Sequence, residues 1–328
     1  MGFALNVIAA ITLQLHNDGF PAVTKVLYQH QACLDALVCL MGLGMITQPC
    51  MGLIYGPDIK DSTIDLLLCQ VWHSQGFFWT WVLISNWNIV YISLERFGMI
   101  HYPLRHRNTQ VKYVCRGFCL IYGLSFFFLI PSCFQVMYDG KAGKCYDNYY
   151  FYLNATFCGM MSFYGFFWFF ISYALPIVIF ITLYVLTFYN IRGRQRQQDN
   201  VNQKAVFKRA NKNITRTAVA ITICFVISQS PESWAYLIHK TLKLPFYYKA
   251  APDQTTFIFF TSLNSVINPV IYCASLKVFR TSLRRTFRRG FLRKYIDPPT
   301  PLPSRKGTSV TKLNENDDSR MIGNSSMQ

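Results

Sequence analysis

The sequence predicts an all-α membrane protein, a bundle of seven transmembrane helices followed by a short amphipathic helix on the cytoplasmic face. Three observations carry this prediction. Of 328 residues, 52% are hydrophobic and only 14% charged, where a soluble domain carries about 25% charged residues. The charges gather in short blocks between long uncharged runs, so the blocks read as loops and the runs as spans. The net charge of +17 comes from Lys and Arg massed beside apolar segments. That is the pattern of cytoplasmic span ends facing anionic lipid, not of a nucleic-acid-binding face.

At a rise of about 1.5 Å per residue, a helix needs about 20 apolar residues to cross the hydrocarbon core. Six runs reach that length: Val26 to Tyr55, Leu66 to Leu94, Gly117 to Tyr138, Phe157 to Ile191, Thr217 to Ile238 and Gln254 to Leu276. Met1 to Leu15 covers about two thirds of a crossing, so it is expected to be the inner part of a first span whose outer part is missing from the N-terminus. The runs from Leu66 and from Phe157 exceed one bilayer thickness and are expected to tilt or to protrude into water.

Lys and Arg set the orientation. The connections after spans one, three and five, with the segment after span seven to Lys294, hold 22; those after spans two, four and six hold six. The N-terminus is therefore outside and the C-terminus inside. After span seven, Val278, Phe279, Leu283, Phe287 and Phe291 recur at helical spacing among Arg and Lys, the mark of an interfacial helix resting on membrane lipid. The expected organisation is a bundle over 1–276, a membrane-surface helix over 277–294 and a disordered, Pro- and Ser-rich cytoplasmic tail over 295–328. Of eleven cysteines, most lie in apolar runs, where Cys acts as a small hydrophobe; Cys69 and Cys145 stand near outer loops.

A charge near the bilayer centre costs about 2.5 to 3.5 kcal/mol, so each one needs an account. Asp35 lies within span two, and span seven offers Asn264, Ser265 and Asn268 at spacings of three and four on one face. Pro269 removes a donor and leaves nearby carbonyls free. A polar cluster inside the bundle is the economical arrangement, and whether it also holds a cation is left open by the residues themselves. Pro176 and Pro231 interrupt spans five and six as static kinks or as hinges.

These features, in this order, resemble the rhodopsin-like G-protein-coupled receptors over about Gly2 to Phe291. Asn6 and Asp35 resemble the first-span asparagine and second-span aspartate, and Glu95-Arg96-Phe97 a variant of the Asp-Arg-Tyr triplet. Pro103-Leu104 resembles the second-loop pair, Pro176 and Tyr184 the fifth-span proline and tyrosine, Phe225 and Pro231 the sixth-span pair, and Asn268-Pro269-Val270-Ile271-Tyr272 the NPxxY motif.

The resemblance implies that Arg96, permanently charged and with five donors, turns between Glu95 in a resting state and Tyr184, Tyr272 and a heterotrimeric G protein in a signalling state. It implies contact of Pro103 and Leu104 with that partner, and an activation core of Pro176, Phe225, Gln229 and Pro231. It implies an allosteric sodium site at Asp35, Ser85, Asn264, Ser265 and Asn268, and a disulfide between Cys69 and Cys145.

Several positions depart from the pattern. Gln229 replaces the usual aromatic, Asn86 an apolar residue, and Asn211 the acid of an ionic lock. Cys69 stands about two residues further from Arg96 than is usual.

The expected ligand pocket is lined by Phe78, Trp79, Val82, Gln229, Glu232, Tyr236, Ile258 and Ser262. Ser262 stands where an opsin needs its Schiff-base lysine, and Phe78 where aminergic receptors hold an aspartate. Glu232, one residue past the kinking proline, either pairs with a basic group of a ligand or is a protonated or solvated structural acid. An aromatic pocket with one acid fits an extracellular peptide, and CQVWHSQ resembles invertebrate neuropeptide receptors; a non-peptide cation is the alternative. Asn154-Ala155-Thr156 is a glycosylation sequon on the outer side.

Thr308, Ser309, Thr311 and Ser319 are candidate sites for a receptor kinase and arrestin. A transporter would show repeated halves or paired charges, and an enzyme a nucleophile arrangement or a metal-binding His pair. The expected class is a plasma-membrane receptor without catalytic residues or a resident cofactor other than sodium.

Overall fold

The computed structural model describes residues 1–15, 21–47, 62–102, 111–140, 144–147, 155–197, 201–242, 252–275 and 277–296. Pro103, Leu104, Asn154 and the tail from 297 lie outside them, as does the end of the second predicted span. The chain forms two compact units, Met1–Phe287 and Arg288–Gln328. The second is described only as the last turns of a helix.

The helices are α1 (Gly2–Leu15), α2 (Ala22–Thr47), α3 (Ser62–Leu68), α4 (Gly76–His101), α5 (Val111–Cys133), α6 (Ala155–Phe169), α7 (Leu175–Gln197), α8 (Val201–Leu242), α9 (Pro252–Ser275) and α10 (Lys277–Ile296). Five stretches are long and apolar enough to cross a membrane: Ala22–Thr47, Leu66–Met99, Tyr113–Cys133, Gly159–Asn190 and Asp253–Ala274. With the shorter apolar α1 and the 42-residue α8, they match the seven predicted spans. Packing closes the set into a ring: α1 lies on α2 and α9, α2 on α4, α4 on α5 and α7, α6 and α7 on α8, and α8 on α9.

Apolar residues face both ways, as a bundle in lipid requires. Phe225, Leu27, Ile89 and Tyr272 fill the interior, while Leu120, Phe163 and Ile227 lie exposed on its outer wall.

The two long runs are not continuous α-helix. Each is widened by a π turn, Cys69–His73 between α3 and α4 and Phe170–Ala174 between α6 and α7. The second has a local cause: Pro176 has no N–H for the carbonyl of Ser172, so the ladder widens just before it. The first is followed by Gln75, at the head of α4, whose φ of 58° is the one left-handed non-glycine backbone among the described residues.

The fourth span ends at Cys133, earlier than the predicted Tyr138. Val136–Asp139 (β1) leaves the helix to pair antiparallel with Lys144–Asp147 (β2), Tyr138 opposite Cys145. Cys145 is bonded to Cys69, with Cα atoms 5.7 Å apart, which ties this hairpin to the π turn between α3 and α4. In α10, Phe279 is buried and meets Tyr272 at 6.4 Å between ring centroids, whereas Phe287 and its neighbouring arginines are exposed.

Candidate functional site

Polar residues gather at three depths. At the end that carries the hairpin, a small cavity, about 30 Å³ and room for ~1 water, is lined by Ser74, Gln75, Trp79, Ser132, Gln135, Tyr164, Trp168, Glu232, Tyr236 and Gln254. Its wall is fastened by reciprocal amide bonds, Gln75 Nε2 to Gln254 Oε1 at 3.2 Å and Gln254 Nε2 to Gln75 Oε1 at 2.5 Å. Gln135 Nε2 donates to the Tyr236 hydroxyl at 3.0 Å, and the Ser132 and Tyr164 hydroxyls pair at 2.8 Å.

Of the expected pocket residues, Trp79, Glu232 and Tyr236 come together here. Phe78, Val82 and Ile258 pack instead into an apolar cluster with Val38, Met41 and Met45. Gln229 is buried in α8. Ser262 lies where α9 approaches α2 so closely that a Cβ on Gly42 would stand 2.5 Å from its hydroxyl.

At mid-depth, Asp35, Ser85, Asn264, Ser265 and Asn268 are all buried. Asp35 Oδ1 accepts from Ser85 Oγ and Gln31 Nε2, each at 2.9 Å, and Oδ2 accepts from Asn268 Nδ2 at 2.9 Å. Three donors on one carboxylate account for a charge that lipid would not tolerate alone. Asn6 on α1 serves another need: its Nδ2 donates at 2.9 Å to the Ser265 carbonyl, the acceptor that Pro269 leaves without an N–H.

The donors for the implied sodium are thus partly committed, Ser85 and one Asp35 oxygen to Gln31. The Oδ1 atoms of Asn264 and Asn268 accept nothing among the described residues.

Below this core, Phe225 is fully buried between Tyr173 and Phe180, ring centroids 6.4 and 5.5 Å away. The two proline-interrupted spans meet at the same level. Ser230 Oγ donates to the Val226 carbonyl at 2.6 Å and pairs with the Tyr173 hydroxyl at 2.5 Å. Tyr173 belongs to the π turn that precedes Pro176.

At the end of the bundle away from the hairpin, Arg96 donates through Nη2 to the Tyr28 hydroxyl at 3.1 Å, with its guanidinium 5.3 Å from the Tyr28 ring centroid. Tyr28 in turn meets Tyr272 edge-on at 4.8 Å. Glu95 is a long contact from Arg96, Nε to Oε2 at 3.9 Å, and its Oε1 accepts from Thr24 Oγ1 at 2.5 Å. Adjacent residues point to different helix faces, so the acid serves α2 and the base reaches the bundle axis. Phe97 stacks on His101 at 3.8 Å. Tyr184 lies exposed on α7.

The family model for the 7 transmembrane receptor (rhodopsin family) matches residues 6–272, from Asn6 through Tyr272. The chain belongs to the rhodopsin family of seven-transmembrane receptors.

The receptor is 23% identical to the green-sensitive opsin of Gallus gallus over 228 residues, 66% of this chain and 60% of that protein. It is 23% identical to galanin receptor 2b of Danio rerio over 231 residues, 67% and 56% of the two chains. The substance-K receptor of Canis lupus familiaris is 23% identical over 228 residues, 66% and 56%. The receptor thus spans about 60% of the length of the relatives it matches.

Sequence reasoning did not nominate Gln31, Tyr28, Thr24, Asn88, Ser230, Gln75, Gln135 or Gln254. Gln31 carried a usable signal, standing four residues before Asp35 and so on the same helix face. Tyr28, seven before Asp35, shares that face too.

Proposed function

We propose that the receptor sits in the plasma membrane with its N-terminus outside, binds an extracellular peptide, and activates heterotrimeric G proteins by rearranging its helices. The observation that carries the coupling half is the cluster of Arg96, Tyr28 and Tyr272. A permanent charge there is held by one neutral hydroxyl and one ring face, so small helix displacements release it toward a partner.

The outer cavity supports the ligand half. The Gln75–Gln254 and Gln135–Tyr236 bonds close the cavity to about one water, and a peptide backbone, which carries the same kinds of donor and acceptor, would bind by exchanging with them. Glu232 complements a basic side chain or a terminal amine. The kinship with galanin and substance-K receptors agrees with this, whereas Ser262 leaves no Schiff-base lysine for an opsin-type ligand. The second reading, a small non-peptide cation, rests on Glu232 beside Trp79 and Tyr236, an acid with aromatic faces. Receptor kinase and arrestin would act on the tail, membrane lipid would hold α10, and Asn154 would carry a glycan.

The test is nucleotide exchange on Gα subunits in cells expressing the full chain, challenged with a neuropeptide library and with monoamines. Exchange driven by a peptide, lost in Arg96→Ala with peptide binding retained, is the expected result. Exchange driven by monoamines alone would overturn the ligand class. An Arg96→Ala receptor that signals normally would overturn the switch.

A further inference from the structure

We infer that the Gln31 amide takes the place of a cation at Asp35, so that this receptor keeps its buried carboxylate satisfied without sodium between Asp35 and Ser85. Gln31 is fully buried one turn before Asp35. Its Nε2 stands 2.9 Å from Asp35 Oδ1 and 2.7 Å from Ser85 Oγ. It therefore touches both groups that an ion bridging α2 and α4 would have to ligate. An amide N–H brings partial positive charge on a tether, whereas an ion must be drawn from water and stripped of it.

The amide cannot simply turn over to offer its oxygen to an ion, because its neighbours fix its direction. Asn88 Nδ2 faces the Leu27 carbonyl at 3.3 Å, and a carbonyl only accepts, so that edge of Asn88 is its NH₂. The same Nδ2 donates to Gln31 Oε1 at 2.7 Å, which leaves the Gln31 NH₂ toward Asp35. Asn88 Oδ1 faces His30 Nδ1 at 3.0 Å, so that nitrogen carries hydrogen, and His30 Nε2 lies 2.9 Å from the Tyr122 hydroxyl on α5.

The result is one directed chain in which Tyr122, His30, Asn88 and Gln31 each hand a hydrogen toward Asp35. Turning Gln31 over would set NH₂ against NH₂ at Asn88 and oxygen against carboxylate at Asp35. The acceptors left over in the cluster, Asn264 Oδ1 and Asn268 Oδ1, belong to α9, away from the α2–α4 side that Gln31 fills.

The experiment measures the unfolding temperature of the purified full-length receptor in sodium chloride and in choline chloride at equal ionic strength. It needs no agonist or G protein, so its failure is distinct from failure of the signalling proposal. An ion that binds only the folded state raises that temperature.

The wild type should unfold at the same temperature in both salts. Gln31→Leu, which opens the α2–α4 side, should gain a rise of a few degrees in sodium, and Asp35→Asn added to it should abolish the gain. Asn88→Ala, which frees the amide to turn, should also acquire a sodium response and serves if Gln31→Leu does not fold. A wild-type rise equal to that of Gln31→Leu would overturn the inference. So would a wild-type rise removed by Asn264→Ala, which would place the ion on α9, or the absence of any sodium response in folded Gln31→Leu and Asn88→Ala.

Discussion

Tyr28→Phe removes one atom from the Arg96 cluster and leaves the rest in place. The ring keeps its edge contact with Tyr272 at 4.8 Å and its place 5.3 Å from the Arg96 guanidinium. Only the hydrogen bond from Arg96 Nη2, 3.1 Å long, is lost. A bond to a charged group is worth about 1.5 to 3 kcal/mol. The Arg96 side chain is 20% exposed and water can replace part of the bond, so the low end, about 1.5 kcal/mol, applies. The contact to Glu95 at 3.9 Å is too long to make up the difference. Each 1.4 kcal/mol is about a tenfold shift between two states, so a released Arg96 should raise ligand-independent signalling about tenfold. The assay is basal nucleotide exchange on Gα per receptor at the cell surface, wild type against Tyr28→Phe, with Tyr28→Leu added to remove the ring face. Basal exchange unchanged in Tyr28→Phe and also in Tyr28→Leu would refute the claim that Tyr28 restrains Arg96.

Three other outcomes follow from the packing. Asn6→Leu leaves the Ser265 carbonyl buried without its donor and should cost about 1 to 3 kcal/mol, read as a lower unfolding temperature. With Pro269→Ala, which restores an N–H for that carbonyl, the loss should shrink. Gly165→Leu should destabilise the α6–α8 contact by about 1 to 3 kcal/mol or more, because even a Cβ would lie 2.5 Å from Lys240 Cβ; normal folding and surface expression would contradict the close approach. Ser230→Ala and Tyr173→Phe remove the two ends of one hydrogen bond, so their effects on stability should be non-additive by about 0.5 kcal/mol or more in a double-mutant cycle; strict additivity would deny the tie.

The spans and their order were legible because membrane crossing is written in composition: a run of about 20 apolar residues is a property of residues, not of contacts. Proline and asparagine in spans pointed to a polar interior, and the structure gathers Asp35, Ser85 and Asn268 by direct bonds. Boundaries were less legible. The fourth span stops at Cys133 because the apolar residues after it, Val136 and Tyr138, are used in a strand paired to Lys144–Asp147, and hydropathy is blind to that difference. The cavity beside Glu232 was half legible. Glu232 stood out as a charge in a run, but Gln75, Gln135 and Gln254 lie at span ends, where polar residues are expected and attract no notice. Tyr28 was hidden for the opposite reason, since one more tyrosine among 20 carries no signal until its neighbours are known.

The length of α8 gives the Gln135–Tyr236 bond a mechanical meaning. From Pro231 to Tyr236 the helix runs about 7.5 Å, and from Pro231 back to its start at Val201 about 45 Å. A bend of about 10° at the proline would carry Tyr236 by only ~1.3 Å and the far end by ~8 Å. Gln135 holds the short arm of this lever, and it lies next to a hairpin that Cys145 pins to the π turn between α3 and α4. Shifting one hydroxyl by about the length of a bond would then be enough for the far end of α8 to sweep across a space wide enough for a helix to enter.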